Sequence, residues 1–156
     1  MTRKFKVFHQ LQIAYSAVFR AADHRCRAEI GLSTSQLGVL FVLSRKDGRP
    51  ISEISQALSM GKSSITGLVD RMCEKGLVRR SPSPLDGRVT HIYLEPLGHA
   101  ALNKGKQLTS RFNDAVLAPF SAQEQDIIER FLFHLADDAE GIIAANNNME
   151  GENADG

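Results

Sequence analysis

The sequence has no tryptophan, two tyrosines and two cysteines in 156 residues. Cys26 and Cys73 are too few and too isolated to form a disulfide framework or a zinc finger. No apolar run approaches the roughly 18 residues that a membrane span needs, and MTRKFKVFHQ lacks the apolar core of a signal peptide. A cytoplasmic protein without membrane contact is therefore expected. An excess of one charge is also missing: 19 Lys and Arg against 18 Asp and Glu leave a net charge of +1. No global field attracts a polyanion, so binding to one must rest on local patches. His9, His24, His91, His99 and His134 are scattered, with no HExxH-like pair, which argues against a metal sensor. A glycine-rich phosphate loop, a nucleophile elbow and a His/Ser/Asp grouping are all absent, so neither an enzyme nor a cofactor is expected.

The informative stretch runs from Pro50 to Leu94. Ile65, Leu68, Val69 and Met72 recur at i, i+3, i+4 and i+7, so at about 100° per residue they form one apolar stripe on a helix spanning 62–75. Ser63, Thr66, Gly67, Asp70 and Glu74 face the other way. Gly67 costs a helix interior about 1 kcal/mol relative to Ala. Its place on the outer face makes sense if another surface must come close there. A shorter helix over 52–59 precedes this one, with Ile54 and Leu58 inward, and the two are joined by a turn containing Gly61. Gly76 supplies a C-cap, Leu77 and Val78 begin a strand, and Val89 to Leu94 alternate as its return. The Pro- and Gly-rich tip SPSPLDGR lies between them. From Lys62 to His91 there are six Lys and Arg against three Asp and Glu, an excess concentrated on the second helix and the hairpin. This is the layout of a winged helix-turn-helix, which places one helix in a DNA groove.

The run GLVRRSPSPLDGRVTHIYLEPLG resembles the wing signature of the MarR family of bacterial transcriptional regulators. Asp86 and Arg88 match its Asp-x-Arg pair, and Leu94 and Gly98 match its Leu-x-x-x-Gly close. LSTSQLGVL is similar to the family's approach to its second helix, and the likeness extends from about residue 5 to 146. Two departures stand out. Gly87 lies where the family often carries another Arg, and Glu95-Pro96 replaces the usual Thr before the next helix, exchanging a side-chain cap for a proline in the first turn.

The flanking segments read as helices. Residues 5–29 contain neither Gly nor Pro, and two apolar stripes run along them: Val7, Leu11, Ala14, Val18, Ala21 and Ala28 on one, Phe8, Tyr15, Phe19, Ala22 and Cys26 beside it. So wide a face suggests a second partner. Ser33 with Gln36 forms a capping box, and Leu32 with Leu37 a hydrophobic staple. Leu37, Leu40, Phe41 and Leu43 form that helix's apolar side, and Pro50-Ile51 can add a very short third strand. After the wing, a helix from Pro96 to about Leu117 carries Leu97, Ala101, Leu108, Phe112 and Ala115. A last helix opens with a Ser121–Glu124 capping box and carries Ile128, Leu132, Leu135, Ala139 and Ile142 on a four-three repeat that wants a partner.

The expected fold is mainly α with a small β-wing. A winged helix-turn-helix domain at 31–95 is flanked by an N-terminal dimerisation helix at 1–30 and C-terminal dimerisation helices at 96–146. A disordered tail occupies 147–156. The resemblance implies a homodimer, most often a repressor, presenting two reading helices to a pseudo-palindromic operator in double-stranded DNA. Ser63, Ser64, Thr66, Gly67, Asp70, Arg71, Arg80, Asp86 and Arg88 are the candidate DNA-binding residues, with Arg88 in the minor groove and Asp86 orienting it. It also implies release by a small, often aromatic anionic effector, for which His9, Tyr15, Arg20 and His24 are the candidate contacts. The alternatives are a thiol-redox sensor working through Cys26, which lies between Arg25 and Arg27 but on an apolar stripe, and a winged-helix adaptor that binds no DNA.

Overall fold

A computed structural model describes residues 6–145. The chain order is α1 (Val7–Ile30), α2 (Thr34–Arg45), β1 (Arg49–Pro50), α3 (Ile51–Ala57), α4 (Lys62–Glu74), β2 (Val78–Pro82), β3 (Thr90–Leu94), α5 (Pro96–Leu117), α6 (Ala122–Asp137) and α7 (Ala139–Ala144). The chain divides into two units, with the boundary between Phe112 and Asn113 inside α5. The tail at 147–156 lies outside the described residues.

In the first unit, Leu40, Ile54, Ile65, Val69, Met72 and Ile92 are fully buried, so α2, α3, α4 and β3 share one core. The stripe expected on α4 is buried in full. The Ser33–Gln36 capping box forms in both directions, and Leu32 and Leu37 are both in the core. The helix-turn-helix corner is closed by Ser55, whose hydroxyl donates to the Met60 carbonyl at 2.5 Å. Three antiparallel strands take the order β1-β3-β2; the short third strand forms at Arg49–Pro50, one residue earlier than the expected Pro50-Ile51, because Ile51 already opens α3. Val78 pairs with Leu94 and Pro82 with Thr90 at the ends of the β2–β3 ladder, and Arg49 pairs with Ile92.

Two further expectations are corrected. The apolar side of α5 is only partly the one expected: Ala101, Leu108 and Phe112 pack on the core, but Leu97 is 61% exposed and Ala115 is exposed, while Gly98, Leu102 and Gly105 are buried beside them. The cause is close approach. A Cβ on Gly98 would overlap the Leu77 carbonyl oxygen, and one on Gly105 would overlap the Leu37 side chain. The helix is therefore seated through its glycines, and they set its rotation. In the second unit, the repeat from Ile128 to Ile142 does not run along one helix. Asp138 leaves the helical region at φ −140°, and its carboxylate accepts the Gly141 N–H at 3.2 Å, which starts α7 as a separate turn. The Ser121–Glu124 capping box of α6 forms as expected. No described helix is long and apolar enough to cross a membrane.

Candidate nucleic-acid interface

The outer face of α4 begins at Gly61, whose φ of −65° is ordinary for any residue, and no side chain caps the helix there. The first free amides, those of Lys62, Ser63 and Ser64, thus have no side-chain acceptor, unlike the capped starts of α2 and α6. Lys62, Ser63 and Ser64 are exposed. Thr66 is half-buried, and its hydroxyl donates to the Lys62 carbonyl at 2.8 Å, leaving only acceptor capacity for a partner. Gly67 is half-buried with Arg71 beside it, and Arg71 is exposed.

Asp70 does not stand alone. Arg80 Nη1, reaching across from β2, lies 2.5 Å from Asp70 Oδ1. The ion pair joins the outer face of the helix to the base of the wing, so the two elements present one continuous surface. The neighbouring Arg79 turns to β3, with Nε 2.9 Å from Glu95 Oε1 and its guanidinium 4.6 Å over the Tyr93 ring. The adjacent arginines therefore differ: Arg79 braces the sheet, and Arg80 faces the helix.

At the tip, the Asp86 carboxylate accepts the backbone N–H of Arg88 at 3.0 Å. It thus orients the main chain of Arg88 and makes no ion pair with its guanidinium among the described residues. Arg88 is exposed. Ser83 is the organiser that sequence reading missed. It is buried, its hydroxyl accepts N–H groups of Leu85 and Asp86 at 3.2 and 3.4 Å, and its own N–H donates to the Val89 carbonyl at 2.7 Å. A serine flanked by Pro82 and Pro84 was the available signal, since such a hydroxyl often holds a turn.

His9, Tyr15, Arg20 and His24 are all exposed on α1, with Tyr15 stacked on Phe19 at a centroid distance of 4.5 Å. A cleft of about 290 Å³ does open where the end of α1 meets α4 and α5, but it is lined by Ile30, Leu32, Leu77, Leu97 and two lysines, Lys75 and Lys104, among others. None of the four candidates reaches it. Cys26 is 1% exposed, and burial pushes its thiol pKa up, with the charges of Asp23 and Glu29 adding to the rise. Burial likewise raises the Cys73 thiol. Neither has the exposed, stabilised thiolate that a redox sensor needs. No group of His, Cys, Asp and Glu among the described residues could hold a metal ion.

The MarR family model matches residues 30–89, the span from the end of α1 to the wing tip. MhqR of Bacillus subtilis, an HTH-type transcriptional regulator, is 31% identical over 97 residues, covering 60% of this chain and 67% of that one. The chain belongs to the MarR family. Like other MarR-family proteins, it is a DNA-binding transcriptional regulator, and its matched relatives are regulators, not enzymes. The HTH-type transcriptional repressor IacR of Pseudomonas putida is 36% identical over 85 residues, 54% of this chain and 51% of the repressor, so the match spans about half of that relative. Among solved structures, the transcriptional repressor CouR bound to a 23-mer DNA duplex superposes with a TM-score of 0.74 at 28% identity, covering 81% of this chain and 89% of that one.

Proposed function

We propose that this MarR-family regulator is a homodimeric repressor that binds a pseudo-palindromic operator through α4 and the β2–β3 wing and is released by a small anionic ligand. In this reading residues 31–95 form the reading domain, and α1 with α5, α6 and α7 supply the dimer. The observation that carries it is the Arg80–Asp70 contact. It makes the outer face of α4 and the base of the wing one surface, fitted to a major groove and the backbone beside it. Arg80 also cancels the one carboxylate that would otherwise meet phosphates in the middle of that face.

The roles follow from the geometry. The uncapped amides of Lys62, Ser63 and Ser64 suit a phosphate at the positive end of the helix dipole. Ser63, Ser64 and Thr66 offer short polar groups to base edges or phosphates, and Gly67 lets the duplex approach. Arg71 neutralises backbone charge, while Arg80, paired with Asp70, holds the base of the wing against the helix beside that backbone. Arg88, carried on a tip whose main chain Asp86 fixes, suits a narrow A·T-rich minor groove. Two such helices related by a twofold axis meet successive major grooves when about 34–36 Å apart. An effector needs only to favour a different spacing by a few kcal/mol to release the DNA. Its contacts remain proposed at His9, Tyr15, Arg20 and His24, whose exposure leaves them free for a ligand or for a second subunit.

The test is binding to a duplex carrying the intergenic DNA upstream of the chain's own gene, over a salt series, with and without aromatic carboxylates. Tight binding that falls steeply with salt and is abolished by one carboxylate supports the whole reading. Arg88→Ala should weaken binding about tenfold or more while leaving the unfolding midpoint unchanged. Undiminished binding by that variant removes the wing from the interface.

A further inference from the structure

The wing apex carries a side chain that neither its fold nor its charge explains. Leu85 is 97% exposed, more than any other large hydrophobic side chain among the described residues. The remaining exposed apolar residues lie on helices or the α5–α6 connection, apart from Val89, which shares the tip. A single solvated leucine on a loose loop would need no account. This loop is not loose. Ser83 holds the amides of Leu85 and Asp86, Val89 is bonded to both Ser83 and Asp86, and Asp86 holds the amide of Arg88. Pro82 and Pro84 fix φ on either side of Ser83. The result is a preordered loop with an apolar apex and a guanidinium at its shoulder.

We propose that Leu85 is a minor-groove contact that packs its methyl groups against the deoxyribose walls beside the position taken by Arg88. The inference rests on the DNA-binding reading above. A minor groove about 6 Å wide has apolar sugar walls and a floor that discriminates little between bases. Apolar side chains enter it in other DNA-binding proteins. The loop is ordered before binding, so little conformational freedom is lost in docking it. Leu85 neutralises no phosphate, so its share of affinity is independent of salt, whereas that of Arg88 is not.

Binding of the full-length protein to the upstream duplex, measured in a salt series for wild type, Leu85→Ser, Leu85→Met and Arg88→Ala, separates the outcomes. The expected result is a loss of about tenfold for Leu85→Ser, the scale of one buried leucine side chain, with the slope of log K against log salt unchanged. Leu85→Met should stay within about threefold of wild type, because volume-conserving apolar exchange preserves the contact. Arg88→Ala should reduce the slope by about one. The inference is overturned, and the DNA reading kept, if Leu85→Ser binds like wild type. It is also overturned if Leu85→Ser alters the salt slope or lowers the melting temperature, since the leucine then serves the wing's own structure. Failure of wild type to bind either this duplex or sheared genomic DNA overturns both.

Discussion

Gly98 shows how much one hydrogen atom in place of a methyl can carry. Here α5 crosses the exit of α4 so closely that a Cβ would overlap the Leu77 carbonyl oxygen, which as backbone cannot swing aside. Gly98→Ala should gain nothing from helix propensity that offsets this. The expected loss is about 3 kcal/mol, read from the urea midpoint at unchanged m-value; a midpoint equal to wild type would mean that α5 can slide. The sequence pattern found Ala101, Leu108 and Phe112 on this side of the helix but missed Gly98, Leu102 and Gly105, because a period-3.6 search looks for large apolar residues and two of these three are glycines. The same search favours Leu97 as core. Its exposure follows from the rotation that Gly98 and Gly105 impose.

At the scale of the element, α4 trades stability for an open end. Gly61 has the backbone of a normal N-cap and empty space around its missing Cβ, so Gly61→Asp is sterically free and should cap the amides of the first turn. The variant should be more stable by about 1 kcal/mol. It should also bind operator DNA at least tenfold less well, because its carboxylate takes the amides and repels the phosphate. A variant that is stabilised and binds normally would show that the helix start does not meet the backbone. Elements of this kind were legible wherever the signal is local: the two capping boxes, the stripe of α4 and the proline that opens α5 lie within a few residues of what they determine. Contacts between elements were not. The pairing of Asp70 with Arg80, ten residues on, depends on the angle at which β2 leaves Gly76, whose φ of 69° sets the turn. Likewise the break at Asp138 was not legible, since nothing local distinguishes a solvated aspartate from one that caps a new turn.

At the scale of the whole molecule, the apolar faces of the outer helices remain without partners. Phe8 is 78% exposed, Tyr15, Val18 and Phe19 lie along the same helix, and Phe131, Leu132 and Phe133 are exposed on α6. Within the second unit a groove of about 510 Å³ is lined by Leu117, Ile128, Leu132 and Phe133 with three carboxamide and carboxylate residues and Ala136. In the proposed homodimer these faces would form its core. Phe133→Lys should raise the dimer dissociation constant at least tenfold by sedimentation equilibrium, and an unchanged constant would place the interface elsewhere. Stability should also fall in acid. Arg27 and the Thr34 N–H hold the Asp23 carboxyl below its ordinary value, Arg111 does so for Glu29, and the Ser121 N–H for Glu124. Folded values lie below unfolded ones, so this contribution is complete above the ordinary values of 3.8 and 4.5 and is lost as pH falls through the folded ones. The urea midpoint should drop between about pH 5 and pH 3, and Glu29→Gln should remove part of that slope; because the carboxylates stay in contact with solvent, the effect is modest.

The three-stranded sheet bears on crowding. Its two outer strands are β1 and β2, and both are poor templates for a further strand. One is two residues long and ends in Pro50, which has no N–H to give; the other carries Arg79 and Arg80 and ends in Pro82. Where many copies gather on neighbouring sites along a chromosome, their wings cannot zip edge to edge into a shared ribbon.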